Sequence, residues 1–247
     1  MMVDAVATPP RRPGGIKRFI EAYPFLPALI IMLVLLALNG IWQPRSVSLV
    51  GITGLIKTYM ALMLLAVAQT YVVYAGDIDL SAGAIVSLVN VVIVAVMASL
   101  GDSGVSVLAA MAIGLGAGLA CGIVNGVVVA AFRLQAIVAT FATSIFFTGL
   151  ALWVMPVAGT PAPATFWRTY GGRILDVPFV FWAAALLAVI LYLLARTRHA
   201  LQLLAVGDDA QGAYQSGLPV TAIRIRGYAM CGVFAALAAF CITGDTA

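Results

Sequence analysis

Residues 196–226 read Arg-Thr-Arg-His-Ala-Leu-Gln-Leu-Leu-Ala-Val-Gly-Asp-Asp-Ala-Gln-Gly-Ala-Tyr-Gln-Ser-Gly-Leu-Pro-Val-Thr-Ala-Ile-Arg-Ile-Arg. Cations stand at both ends, Asp208 and Asp209 stand in the middle, and apolar runs lie on either side. Helix punctuation is written into the segment. Asp208 and Asp209 supply an N-cap and a first-turn acid, Gly217 sits where a C′ glycine belongs, and Pro219 follows at stopping distance. The spacing predicts a helix of about two turns over 209–216. Ala210, Ala213 and Tyr214 then share one face, small except for a single aromatic knob. Such a helix, held between basic ends, suits a groove on another protein; a solvated connector is the plainer reading. In both cases the segment belongs outside a hydrocarbon layer.

The rest of the chain supplies that layer. Of 247 residues, 64% are hydrophobic and 9% charged, and the mean hydropathy is +1.12. A soluble domain so apolar lacks the polar groups to cover its own surface, so the class is integral membrane with helical spans. The expected fold class is all-α: a polytopic bundle of about seven transmembrane spans. They run roughly over 24–42, 58–75, 81–100, 105–132, 136–156, 177–195 and 225–242. Lys57 sits at the edge of the second, placed to snorkel. Trp42, Trp153, Trp182, Tyr192 and Tyr228 lie near span ends, as interfacial aromatics do.

Residues 1–23 form a polar tail with Arg11, Arg12, Lys17 and Arg18, and Pro9, Pro10 and Pro13 disfavour a helix before residue 14. The run over 24–42 is read as an uncleaved first span, because no small-x-small cleavage site follows a short apolar core. The division is a cytoplasmic tail, 1–23, and a transmembrane domain, 24–247, in which 196–226 is a cytoplasmic loop. The net charge of +4 reflects cations at span ends, so it sets orientation and implies no nucleic-acid partner. A basic N-terminus inside puts Arg133 and 196–226 inside too. The 157–176 loop then lies outside, although Arg168 and Arg173 in it oppose the rule.

Several chemistries lack material. Cys121, Cys231 and Cys241 fall in apolar runs, and His199 is the one histidine, so neither a metal site nor a catalytic triad is expected. No Gly-x-x-x-x-Gly-Lys-(Ser/Thr) motif is present, so the chain has no phosphate-cradling loop for ATP. Gly114, Gly118, Gly122 and Gly126 recur every fourth residue, which makes a smooth stripe for close helix packing.

Polar residues at membrane depth are the candidate pathway. Tyr71 to Gly83 holds Asp77 and Asp79 between apolar runs, with Gly76 and Gly83 flanking. Three roles fit: Asp79 and Ser81 cap the third span in a short cytoplasmic turn, a broken helix lines a pathway, or the acids relay ions. A relay normally carries further acids within spans, and none is present. Asn90 and Asn125 suit interhelical hydrogen bonding or substrate contact. Thr140, Thr143, Ser144 and Thr148 lie on roughly one side of the fifth span, where back-bonding to their own helix is the simple reading.

Four ordered motifs resemble one family. Gly76-Asp77-Ile78-Asp79-Leu80-Ser81-Ala82-Gly83 resembles the Gly-Gly-Ile-Asp-Leu-Ser-x-Gly signature of ribose-type ABC transporter permeases. Gly122-Ile123-Val124-Asn125-Gly126 is similar to their Gly-Leu-x-Asn-Gly, and Ala139-Thr140 through Gly149-Leu150 to their Ala-Thr-Leu run. Ala205-Val206-Gly207 through Ser216-Gly217-Leu218 resembles their Ala-x-Gly-Gly-Asn to Ser-Gly-Ile segment. Gln211 stands at a Glu of that pattern, Gly212 at an Ala, Asp208 at an Asn, and Asp77 at the second glycine.

The resemblance implies the membrane subunit of an importer in the bacterial inner membrane, multi-pass with its N-terminus cytoplasmic. It implies a cytoplasmic ABC ATPase that uses the ATP, a periplasmic sugar-binding protein, and a second permease copy. No cofactor is expected on this chain, and no catalysis. Gly207, Asp208, Asp209, Gln211, Ala213, Tyr214, Ser216 and Gly217 would form the coupling helix and its ends. Asp77, Asp79, Ser81, Asn90, Asn125 and Thr140 are the pathway candidates. A monosaccharide is the expected solute; branched-chain amino-acid and nucleoside permeases share the plan. Family members continue for several spans past the position of Asp245, so a shortened, inactive remnant is a further reading. An ion-coupled carrier would carry more intramembrane acids and an inverted repeat.

Overall fold

The computed structural model describes residues 22–157 and 159–246, so most of the tail expected over 1–23 lies outside the described residues. Two compact units divide the chain, Met1–Ile52 and Thr53–Ala247. In the first, α1 (Leu26–Trp42) opens with a proline in its first two positions, where a missing N–H leaves no helix bond unmade. None of its residues is buried within the unit. A helix this apolar all round suits a lipid surrounding rather than water. A 3-10 turn, Pro44–Val47, leads to α2 (Leu49–Tyr74).

Beyond α2 come α3 (Ala82–Leu100), α4 (Gly104–Gly126) with a π turn at Val127–Ala131, and α5 (Ala136–Val154). A short α6 (Ala164–Tyr170) and a two-residue hairpin, β1 (Arg173–Ile174) and β2 (Val177–Pro178), precede α7 (Phe179–Ala195). Then follow α8 (Arg198–Asp208), α9 (Ala210–Gln215) and α10 (Val220–Thr246). The chain is an all-α, multi-pass membrane bundle. Each of the seven expected spans is helical; α2, α3, α4, α5 and α10 are long and apolar enough to cross a membrane. The other two, α1 and α7, have 17 residues each, and α7 meets α8 at a bend of 64°.

Two boundaries differ from expectation for the same reason. The second span begins at Leu49 rather than near residue 58, and the last begins at Val220 rather than near 225. A charge inside an apolar run reads as a helix edge, but here partners neutralise it. Lys57 lies within α2, 3.2 Å from Asp245 and 5.3 Å from the centre of the Tyr170 ring. Arg224 lies in the second turn of α10, paired with Asp77.

The bundle is organised around α10, the most buried of the spans. Its small residues Ala235, Ala236, Ala238 and Ala239 are fully buried. The glycine stripe of α4 packs on it. A Cβ on Gly118 would lie 2.6 Å from the Gly232 carbonyl, and one on Gly126 would lie 2.8 Å from the Ile225 Cα. Backbones that close exclude any side chain, so the stripe is a packing surface. Tyr71 of α2 stacks on Phe234 of α10, centroids 5.7 Å apart.

Candidate functional site

Between α2 and α3 the chain leaves the helix for seven residues, Ala75 to Ser81, and both aspartates lie there. Gly76 turns the chain at φ 82°, which only glycine adopts without strain. Its Cα faces the end of α8: a Cβ on Gly207 would lie 3.0 Å from the Gly76 nitrogen and would overlap the Tyr74 carbonyl. Gly207 therefore lets the segment after α7 touch the break.

Asp77 is held by Arg224 of α10 in a two-oxygen fork. Nη2 lies 2.5 Å from Oδ1 and 2.6 Å from Oδ2, and Nε donates to Oδ2 at 3.2 Å. The Asp77 side chain is 9% exposed and that of Arg224 25%. Two residues on, Asp79 is buried. Its Oδ1 accepts from the Ser81 N–H and hydroxyl, both at 2.7 Å, and its Oδ2 from the Cys231 thiol at 3.5 Å. The Gln69 amide, oriented to satisfy both partners, donates to the Asp79 carbonyl at 3.2 Å and accepts from its N–H at 3.1 Å. Asp79 thus supplies the acceptor at the start of α3, while the Ser81 side chain makes no cap of its own.

The Asn125 amide of α4 donates to the Ser81 hydroxyl at 2.6 Å. From α5, the Thr140 hydroxyl accepts from the Leu80 N–H at 3.0 Å and donates to the Ala136 carbonyl at 2.8 Å. Asp79, Ser81, Asn125 and Thr140, chosen from separate motifs, meet in one buried network across α3, α4, α5 and α10. Two buried polar atoms beside it have no hydrogen-bond partner among the described residues, Asn125 Oδ1 and the Tyr228 hydroxyl. Asn90 stands apart. It accepts from Thr243 of α10 at 2.6 Å, a helix-to-helix bond about two and a half turns further along α3. Thr143, Ser144 and Thr148 bond back to carbonyls of their own helix.

Next to the break lies the short helix α9. Asp209 caps it by accepting from the Gln211 N–H at 3.0 Å. Gly212 leaves room for that carboxylate, since a Cβ there would lie 2.5 Å from Asp209 Oδ2. The far end closes with the Leu218 N–H on the Ala213 carbonyl and the Gly217 N–H on the Tyr214 carbonyl, with Gly217 at φ 81°. Those two bonds are the 6→1 and 5→2 pair of a glycine C-cap. Ser216 bonds back to the Gly212 carbonyl at 2.9 Å. Asp208, Gln211 and Gly217 are exposed.

The face expected to carry Ala210, Ala213 and Tyr214 together is split. Ala213 is 7% exposed and packed in the chain's own core, whereas Tyr214 is 73% exposed. Ala213 joins the buried core that also holds Leu203 and Val206 of α8, a helix that the residues alone do not separate. An open groove of about 890 Å³ runs between α9, the π turn and the base of α10, with Arg133, Gln211, Tyr214, Thr221 and Arg224 on its walls. Arg133 adopts φ 57°, a left-handed position uncommon for a side-chain-bearing residue.

Arg224 is the residue that sequence reasoning missed. The available signal was electrostatic: a carboxylate in an apolar run requires a cation, and Arg224 and Arg226 open the last apolar stretch. Burial, then Arg226, pushes His199 below its ordinary value. Among the described residues, no group of three or more His, Cys, Asp or Glu is placed to hold a metal.

Residues 51–247 match the family model described as branched-chain amino acid transport system / permease component. The chain is 33% identical to the autoinducer 2 import system permease protein LsrC of Yersinia enterocolitica, over 90% of this chain and 62% of that protein. It is 32% identical to the LsrC of Escherichia coli O157:H7, over 90% of this chain and 64% of that protein. To the ribose import permease protein RbsC of Escherichia coli K12 it is 31% identical, over 85% of this chain and 66% of that protein. The chain thus spans less than two thirds of the length of these relatives. No solved structure matches it.

Proposed function

The chain belongs to this permease family, and on that premise we propose that it is the membrane-spanning permease subunit of an ATP-binding cassette importer for a ribose-like monosaccharide. One observation carries the proposal: a capped helix, α9, presents Tyr214 beside an open groove at a bundle end, in a membrane chain without a phosphate-binding loop. Energy then enters from a separate cytoplasmic ATPase seated on α9 and its ends, Gly207 to Gly217. The N-terminus is on that same side of a bacterial inner membrane. A periplasmic binding protein delivers solute at the opposite end, and a second permease copy completes the pathway.

The contacts suggest how a push on α9 reaches the spans. Four residues, 216–219, separate α9 from α10, and the second turn of α10 holds Asp77 through Arg224. Gly207 touches the same break from the other side of α9. A movement of α9 therefore displaces the segment 75–81 from two directions. That segment ends in the buried network of Asp79, Ser81, Asn125 and Thr140. With Asp79 at 5% exposure, the network is shut, and parting α3 from α4 and α5 opens it.

The substrate class follows the relatives. The family description mentions branched-chain amino acids, but the relatives named above are permeases for autoinducer 2 and ribose. Autoinducer 2 is the second reading, favoured by the slightly higher identity of those relatives. The test is uptake of labelled ribose and autoinducer 2 into proteoliposomes holding this chain with the ATPase and binding protein encoded beside it. ATP-dependent uptake of either, lost without this chain, supports the importer. Uptake by this chain alone, driven by a proton gradient without ATP, overturns it.

A further inference from the structure

At the bend between α7 and α8 the helix carries two apolar stripes. Ala200, Leu203 and Val206 face inward and are buried. Leu201, Leu204 and Ala205, at i, i+3 and i+4, face away from the core, with Leu201 66% and Leu204 45% exposed. Three exposed arginines lie at or beside this bend. Arg196 and Arg198 bracket it, and Arg226 of α10 precedes Gly227, which packs on Leu203 of α8, where a Cβ would lie 3.0 Å from Leu203 Cδ2. None of the three has a carboxylate partner among the described residues. Arg196 stands instead over the ring of Tyr192, 5.0 Å from its centre.

We propose that this elbow seats the phosphate headgroup of an anionic phospholipid of the cytoplasmic leaflet. In this arrangement α8 lies along the membrane surface with Leu201, Leu204 and Ala205 against the acyl chains. The inference rests on the membrane character of the chain and is independent of what the permease carries. Its logic is charge joined to an apolar stripe. A helix with its inner stripe on the protein and a second stripe outward needs a non-aqueous neighbour, and α7 has just brought the chain out of the hydrocarbon. Arginine forks match phosphate oxygens in pairs, and unneutralised arginines beside that stripe favour an anionic headgroup over a zwitterionic one. Tyr192 adds an amphipathic ring at the same level. The acids Asp208 and Asp209 lie at the far end of α8, so the charge at the bend is of one sign.

The test uses the full chain in nanodiscs of phosphatidylcholine with or without phosphatidylglycerol, with retained lipid counted by native mass spectrometry. Phosphatidylglycerol is retained in preference, and the preference falls roughly 100-fold in the triple variant Arg196→Gln, Arg198→Gln, Arg226→Gln, at about fivefold per arginine. The pair Arg168→Gln, Arg173→Gln, in α6 and β1, leaves it unchanged. No preference in the parent, or an equal one in the triple variant, overturns the proposal. So does displacement of the lipid by millimolar inorganic phosphate, which marks a site for free anion. If the triple variant fails to fold, Leu204→Trp serves instead. Quenching of its added fluorescence by acyl-brominated lipid is expected, and quenching by aqueous iodide, or burial under a soluble partner, refutes the placement. Failure of either measurement leaves the uptake experiment unaffected, so the two proposals fall separately.

Discussion

The pairing of Asp77 with Arg224 makes a quantitative forecast. Consider Asp77→Asn, Arg224→Gln and the two together. The exposed limit for an ion pair is about 0–1 kcal/mol, and breaking a fully buried pair costs about 3–5 kcal/mol. Asp77 is 9% exposed and Arg224 25%, so the site lies between those limits, nearer the buried one. The fork geometry, with three N–O contacts between 2.5 and 3.2 Å, argues the same way. Each single substitution should therefore cost roughly 2–3 kcal/mol, because it leaves a charged group half-desolvated without its partner. The double substitution should cost less than the sum, with a coupling energy of about 1–2 kcal/mol. Denaturant unfolding of the purified chain in mixed micelles, followed by circular dichroism, measures all four corners of the cycle. A coupling energy below about 0.5 kcal/mol would mean the pair behaves as a surface contact, and the link from α10 to the break would have no energetic basis. In the reconstituted importer the singles should also raise ATP hydrolysed per solute moved; unchanged stoichiometry sinks the transmission role.

Four further outcomes follow from the same geometry. Gly207→Val places a side chain against the Tyr74 carbonyl and the Gly76 nitrogen, so it should cost roughly 1–3 kcal/mol in the same unfolding assay. Tyr214→Ala should leave unfolding unchanged within about 0.5 kcal/mol, since the ring is exposed, but abolish co-purification with the partner ATPase; full retention of the ATPase would remove Tyr214 from the docking surface. Asp79→Ala deletes the acceptor for Ser81 and should cost about 1 kcal/mol at the start of α3, seen as faster amide exchange there, and loss of uptake at normal membrane levels would add a pathway role. Asp102 accepts from the Thr165 N–H at 3.1 Å, and Thr165, then the Ala164 backbone and Arg168, hold its carboxyl below the ordinary value. The contribution of that contact is present above the ordinary carboxylate value and lost as pH falls through the depressed one, so protection of the Thr165 amide, taken relative to its intrinsic exchange rate, should fall in that acid window.

How much was legible in advance follows from which interactions are local. The caps of α9 are decided within a few residues, so Asp209, Gly217 and Pro219 announced the helix and both its ends. The glycine stripe of α4 was visible as a period of four, and its purpose followed from geometry alone. By contrast, no local pattern says that Ala213 turns inward and Tyr214 outward, because the core that Ala213 joins is assembled from several helices. Nor does any local pattern bring Asp79, Ser81, Asn125 and Thr140 to one place, since α3 packs on α4 and α5 only in the folded bundle.

Composition, hydropathy and capping residues determined the membrane class, the helical spans and the short capped helix α9, because those depend on solvent transfer and on bonds within a turn. Span ends at Lys57 and Arg224 were decided by the tertiary structure. A lone charge is costly in a bilayer, and only distant partners, Asp245 and Asp77, remove that cost and let the helices run on through it.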